Sequence, residues 1–128
     1  MSFTAVATAT SIAGIVLGVG WLFFGTLLLR RWGVEPSANA LLVGRRLGVV
    51  YLSIGLLLAL GRSAPPSGLR QAVCVGLLLA MVALAALGTF EFRAGRAKAG
   101  ILVSVGIEVI LAAGFAWVLV VEASQETP

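Results

Sequence analysis

Glu108, in the run GIEVILAAGFAWVLV, and the adjacent Arg45 and Arg46, in LVGRRLGVVYLSIGLLLALGR, are the side chains of this sequence with the most chemical potential for their setting. Each is a charge well inside an apolar run. Fifteen residues separate Arg46 from Arg62, about 22 Å of helix against a hydrocarbon core of about 30 Å. A spanning helix therefore carries two charges below the surface. An unpaired ion at that depth costs several kcal/mol, and pairing or protonation lowers the cost. Two chemistries follow. A carboxylate and a guanidinium can lock two helices together, or the carboxylate can bind a proton, a cation or a polar headgroup in a small cavity.

Depth favours a meeting of the acid with a base. Arg46 lies sixteen residues before Arg62, and Glu108 fourteen before Glu122. Measured along helices of the same direction, these are about 24 and 21 Å from one membrane face. Glu108 is thus expected to pair with Arg46 or Arg45, the other arginine reaching the headgroups along its aliphatic stem. Glu91, about 31 Å from Arg70, is placed at the interface and can join the cluster. Trp21 and Tyr51 fall nearer mid-depth. Each has a polar atom that needs a partner, expected to be a backbone carbonyl or the hydroxyl of Thr26 or Ser53. A carboxylate held ionised by an arginine is a poor proton carrier, which favours the structural role of the pair over the functional one.

The residue inventory narrows the remaining chemistry. His and Asp are absent and Cys74 is the single cysteine. The usual ligand sets for zinc, copper, haem or iron–sulfur groups are therefore missing, and no metal or cofactor is expected. Cys74 has no partner for a disulfide and no CxxC neighbour, and reads as a small apolar residue of a helix. Enzymatic catalysis is not expected, because it would rest on Glu, Arg, Tyr51 or Ser53 at membrane depth.

Hydrophobic residues make up 60% of the 128 and charged residues 11%, with a mean hydropathy of +1.11. A soluble domain carries about 25% charged residues, so the solvent of most of this chain is lipid. Four apolar segments, at about residues 5–29, 38–60, 71–91 and 100–121, are each long enough to cross once. They are continuous rather than alternating, and lipid demands internally satisfied backbones, so helices are predicted. Ser37 follows Pro36 as an N-cap, and Pro65 and Pro66 break the chain between the second and third segments. The expected fold is an all-α, four-helix transmembrane bundle forming a single domain over residues 1–128. The N-terminus has no basic n-region, so the first segment is expected to be kept as a helix.

The net charge of +4 has no contiguous basic face, so nucleic acid is not an expected partner. The bases lie in loops. Arg30, Arg31, Arg45, Arg46, Arg93, Arg96 and Lys98 fall on one side of a four-span chain, and Arg62 and Arg70 on the other. Seven against two places both termini outside the cytoplasm of a bacterial inner membrane, with the basic side on anionic headgroups. Trp32 and Trp117 suit the two interfaces.

Helices in lipid associate by close packing, which small residues permit. Gly14 and Gly18 are followed by Gly25 in the first segment, as Gly44 and Gly48 are by Gly55 in the second. An aromatic, Trp21 or Tyr51, stands between the second and third glycine each time. These faces are expected to hold the first two spans together. Ala72, Gly76 and Ala80, and Gly106 and Gly114, offer small residues on the other two.

The stretch GVEPSANALLVGRRLGVVYLSIGLLLALGR, with the later GIEVILAAGFAWVLV, resembles small bacterial four-helix membrane proteins of the DoxX-like kind. Those have a Gly-rich first helix, an arginine followed by glycine, and a helix of the form LGxxYLxxGLLLxL. The resemblance falls on Arg46, Gly48, Tyr51, Gly55, Glu108, Gly114 and Phe115 and covers about two-thirds of the chain. It implies a four-helix bundle. Some such proteins are named as subunits of quinone oxidoreductases, others as accessory partners of larger membrane proteins, and no cofactor ligand here supports the redox role. Small multidrug exporters also have four helices and one buried Glu, but theirs lies in helix one, which is uncharged here. The polar pore motifs of small fluoride channels are not visible.

Two functions are thus expected in order: a non-enzymatic accessory or lipid-binding membrane protein, self-associating or joined to a larger membrane protein, and a small proton- or cation-coupled transporter using Glu108.

Overall fold

A computed structural model describes residues 1–125. Five helices are formed: α1 (Phe3–Phe23), α2 (Gly25–Trp32), α3 (Ala38–Gly61), α4 (Gly68–Arg93) and α5 (Ile101–Gln125). All regular structure among the described residues is helical. α1, α3, α4 and α5 are long and apolar enough to cross a membrane. The chain is a multi-pass membrane protein, an all-α four-helix bundle in a lipid bilayer. Leu57, Leu60, Leu79, Ile110 and Val120 lie exposed on its outside, where hydrocarbon replaces water.

Local sequence sets the starts of the spans. Ser2, Ser37 and Ser67 cap α1, α3 and α4, each side-chain oxygen accepting from the amide three residues on at 3.2 Å. Hydroxyls inside the spans turn back on their own helices: Thr10 donates to the Val6 carbonyl at 2.8 Å and Thr89 to that of Ala85 at 2.8 Å. No hydroxyl so bonded is left orphaned in lipid.

The first segment is not the continuous helix expected over 5–29. It breaks at Phe24, whose φ of −124° and ψ of 27° leave the helical region. The Phe24 amide still donates to the Gly20 carbonyl at 2.7 Å, and the Leu28 amide to the Phe24 carbonyl at 3.2 Å. The break is therefore a bend with its backbone satisfied, as lipid requires. Beyond it α2 runs with Leu29 buried and Arg30 and Arg31 exposed, the partition of a helix at an interface. It ends at Gly33, whose φ of 77° is left-handed and open to glycine at little cost.

The spans associate as two hairpin-like pairs. α1 packs along α3 and α4 along α5, and the pairs meet chiefly through α1 and α5. The core that joins them lies near the termini. It comprises Phe3, Val6 and Ala7 of α1, Leu58 of α3, Cys74 of α4, and Phe115 and Val118 of α5. At the opposite end the α4–α5 loop docks on the end of α2. There the Lys98 amide donates to the Trp32 carbonyl at 2.9 Å, and a Cβ on Gly100 would strike the Arg31 carbonyl oxygen. The pairs are closed on each other at both ends and part between them.

Candidate functional site

The α1–α3 pair is close because its contact surface lacks side chains. Gly14, Gly18, Gly44, Gly48 and Gly55 are all buried. A Cβ on Gly18 would stand 2.8 Å from the Gly48 carbonyl oxygen, and one on Gly48 2.9 Å from that of Gly18. Gly14 faces the backbone of Tyr51 and Gly55, while Gly44 makes room for the Trp21 ring. Ser11 adds a bond across the pair, donating to the Gly55 carbonyl at 2.8 Å. On the other spans Gly114 meets Val6, whereas Gly76 and Gly106 have no atom near enough to meet a Cβ.

Between the hairpins lies a cleft of two adjoining chambers, of about 130 and 310 Å³. The chamber nearer the core reaches from Thr10 and Leu111 to Trp32, and the other runs on to Glu91 and Arg96. Trp32, Tyr51, Leu84, Ser104 and Glu108 line both. Trp21 walls the first, meeting Trp32 edge to face at 5.2 Å between ring centroids. The bend at Phe24 carries α2 round to make this contact. The walls are otherwise mostly aliphatic, with Met81 and Leu77 facing Ile54 and Leu17.

Glu108 sits in this wall without the expected partner. No ion pair joins it to a cation among the described residues, and its Oε2 is buried with no hydrogen bond. Arg45 and Arg46 are both exposed and line neither chamber. They start about as far along α3 as Glu108 does along α5, so depth did not separate them. Direction did. Residues of a helix step about 100° round its axis, and Leu47, Tyr51 and Ile54 take the face of α3 toward the cleft. Arg45 and Arg46 then fall on other faces, where long stems let them reach headgroups.

The remaining expected site residues divide. Glu91 lines the second chamber, but its partner is Arg96, which donates from Nε at 2.7 Å and from a terminal nitrogen at 3.0 Å. These bonds raise the Arg96 guanidinium above its ordinary pKa. Trp21 and Tyr51 line the cleft, whereas Ser53 and Thr26 do not. Ser53 is exposed and donates to the Val49 carbonyl at 2.9 Å. Thr26 is exposed on α2. Neither hydroxyl bonds Trp21 or Tyr51, because the bend and the helix phase turn both outward.

An ion pair that sequence reading missed closes the terminal end. Arg70 bonds Glu122 of α5, donates to the Ala64 carbonyl at 2.6 Å, and lies 4.5 Å over the Phe3 ring. One guanidinium thus ties α4, α5, α1 and the α3–α4 turn. The signal is present in the sequence: the two residues carry opposite charges and fall at the same membrane face of a four-span chain. Among the described residues no group of three or more His, Cys, Asp or Glu is placed to hold a metal.

No protein-family model, curated protein or solved structure matches this chain.

Proposed function

We propose that this chain is a non-enzymatic membrane protein that holds one amphipathic molecule in the cleft between its hairpins, serving as an accessory or lipid-binding protein of the DoxX-like kind. The observation that carries the reading is the cleft itself. Its walls are aliphatic and aromatic, its polar groups few, and one of them, Glu108, has no ion-pair partner among the described residues and a buried Oε2 with no hydrogen bond. Pockets that bind small molecules have this make-up, typically at about 300–1,000 Å³. In this reading the termini lie outside the cytoplasm of a bacterial inner membrane. The seven bases of the loop end then face anionic headgroups.

A second reading, coupled transport through Glu108, gains from one observation. Among the described residues no arginine pairs with the carboxylate to hold it in one state. An ionisable group in a cavity between spans is a common element of ion and substrate paths.

The two are separated by one purified preparation. Extracted into nanodiscs, the protein should carry a stoichiometric amphiphile detectable by mass spectrometry. Ser104→Phe, which fills the wall common to both chambers, should lower that occupancy about tenfold or more, in line with loss of a well-packed contact. Unchanged occupancy in a folded Ser104→Phe variant would refute the binding reading. Reconstituted into proteoliposomes, a transporter would move protons or cations by a flux that Glu108→Gln abolishes, whereas an accessory protein would show no flux.

A further inference from the structure

The charge inventory of the cleft selects among amphiphiles. Among the described residues Glu108 is the one charged side chain lining the chamber nearer the core. In the second chamber Glu91 and Arg96 neutralise each other through two hydrogen bonds. The other bases of that end, Arg30, Arg31, Arg45, Arg46, Arg93 and Lys98, are exposed and absent from the lining. Among the described residues the lining therefore carries one unmatched carboxyl group and no unmatched cation.

We propose that the occupant is a lipophilic organic cation, a hydrophobic body bearing a single amine or quaternary centre. The inference rests on the reading of the cleft as a binding site and adds the ligand's charge. Glu108 supplies the counter-charge, and the aromatic side chains of Trp21, Trp32 and Tyr51 line the same chamber from the opposite hairpin. A cation over such faces is stabilised by their quadrupoles, more so where water is excluded. An anion would meet Glu108 with no cation to offset it. A neutral molecule without a donor would leave the buried Oε2 as it is, at a cost that a positive charge beside the carboxylate offsets, with or without an N–H of its own. Packing is extensive within each hairpin but joins the two chiefly through α1 and α5. The flank between α3 and α4 is thus the side on which such a molecule can enter from lipid.

The test uses two probes of matched shape and opposite charge, tetraphenylphosphonium and tetraphenylborate, on the full chain in nanodiscs of zwitterionic lipid. Uptake by empty nanodiscs is subtracted. Saturable tetraphenylphosphonium binding is expected, with tetraphenylborate weaker by about tenfold or more, since the carboxylate attracts one charge and repels the other at close range. Glu108→Gln should erase the preference, and Glu108→Asp, which keeps the carboxylate, should keep most of it. The wild-type comparison stands even if Glu108→Gln does not fold. Equal binding of both ions, or a preference untouched by Glu108→Gln, would overturn the cation assignment and leave the binding reading intact. Absence of binding by either ion also overturns it. If no amphiphile co-purifies either, the binding reading falls with it.

Discussion

Arg70 is where three separate contacts converge, with Glu122, the Ala64 carbonyl and the Phe3 ring. Its side chain and that of Glu122 are 12% and 15% exposed, so the pair is screened little. Removing one partner of such a pair leaves the other charge uncompensated, which costs about 3–5 kcal/mol when burial is complete. Arg70→Met should therefore destabilise the protein by about 2–4 kcal/mol, and Glu122→Gln by somewhat less. The double variant should cost less than the sum of the two. Unfolding in mixed micelles, analysed as a double-mutant cycle, measures this, and additive costs would show that the contact does not couple the helices. The same physics explains what could be read from the sequence at this scale. The depth of Glu108 and of Arg45 and Arg46 follows from counting 1.5 Å per residue. Whether they meet depends on rotation about each helix axis, which a run as uniformly apolar as VVYLSIGLLLALG leaves undetermined. Arg70 in the first turn of α4 and Glu122 in the last turn of α5 share the terminal end of that pair, so their common level was readable by the same count.

Helices α1 and α3 show what small residues do in lipid. With no hydrophobic drive between spans, the gain comes from backbone approach. The repeated glycine spacing of the two segments was legible because it concerns what is missing from a surface, and it needs no knowledge of rotation beyond one shared face. Gly18→Ala puts a methyl 2.8 Å from the Gly48 carbonyl oxygen and 2.9 Å from the Leu52 amide nitrogen. Backbone cannot swing aside as a side chain can, so the helices must separate. A cost of about 1–3 kcal/mol follows, the range of overpacked cores. Gly76→Ala on α4 meets nothing and should be neutral or stabilising by up to about 1 kcal/mol through helix propensity. Equal effects in a micelle unfolding assay would mean that the α1–α3 contact is not close-packed. The bend at Phe24 was not legible. FFGTLLLRRW continues an apolar run, and the bend brings Trp32 against Trp21, residues that an unbroken helix would hold about 16 Å apart.

For the whole molecule, four spans and their length followed from composition alone, because lipid leaves so few ways to satisfy a backbone. The cleft did not, since it depends on which helix pairs pack and which stay apart. Charge, however, sorts the two ends. Seven of the nine bases lie at the end of the α2–α3 and α4–α5 loops, and Arg62 and Arg70 at the other. One base at each end is matched by a carboxylate, Arg96 by Glu91 and Arg70 by Glu122, which leaves six against one. Bases near span ends resist translocation, so the loop end should face the cytoplasm. The single native thiol, Cys74, is fully buried and gives a silent background for labelling. Ser63→Cys, exposed in the α3–α4 turn, should react with a membrane-impermeant maleimide on intact cells. Ala99→Cys, exposed in the α4–α5 loop, should react only after the membrane is opened. The reverse pattern would put the basic end outside. The α4–α5 loop, with its Lys98 bond to Trp32, would then close the cleft toward the exterior rather than toward the cytoplasm.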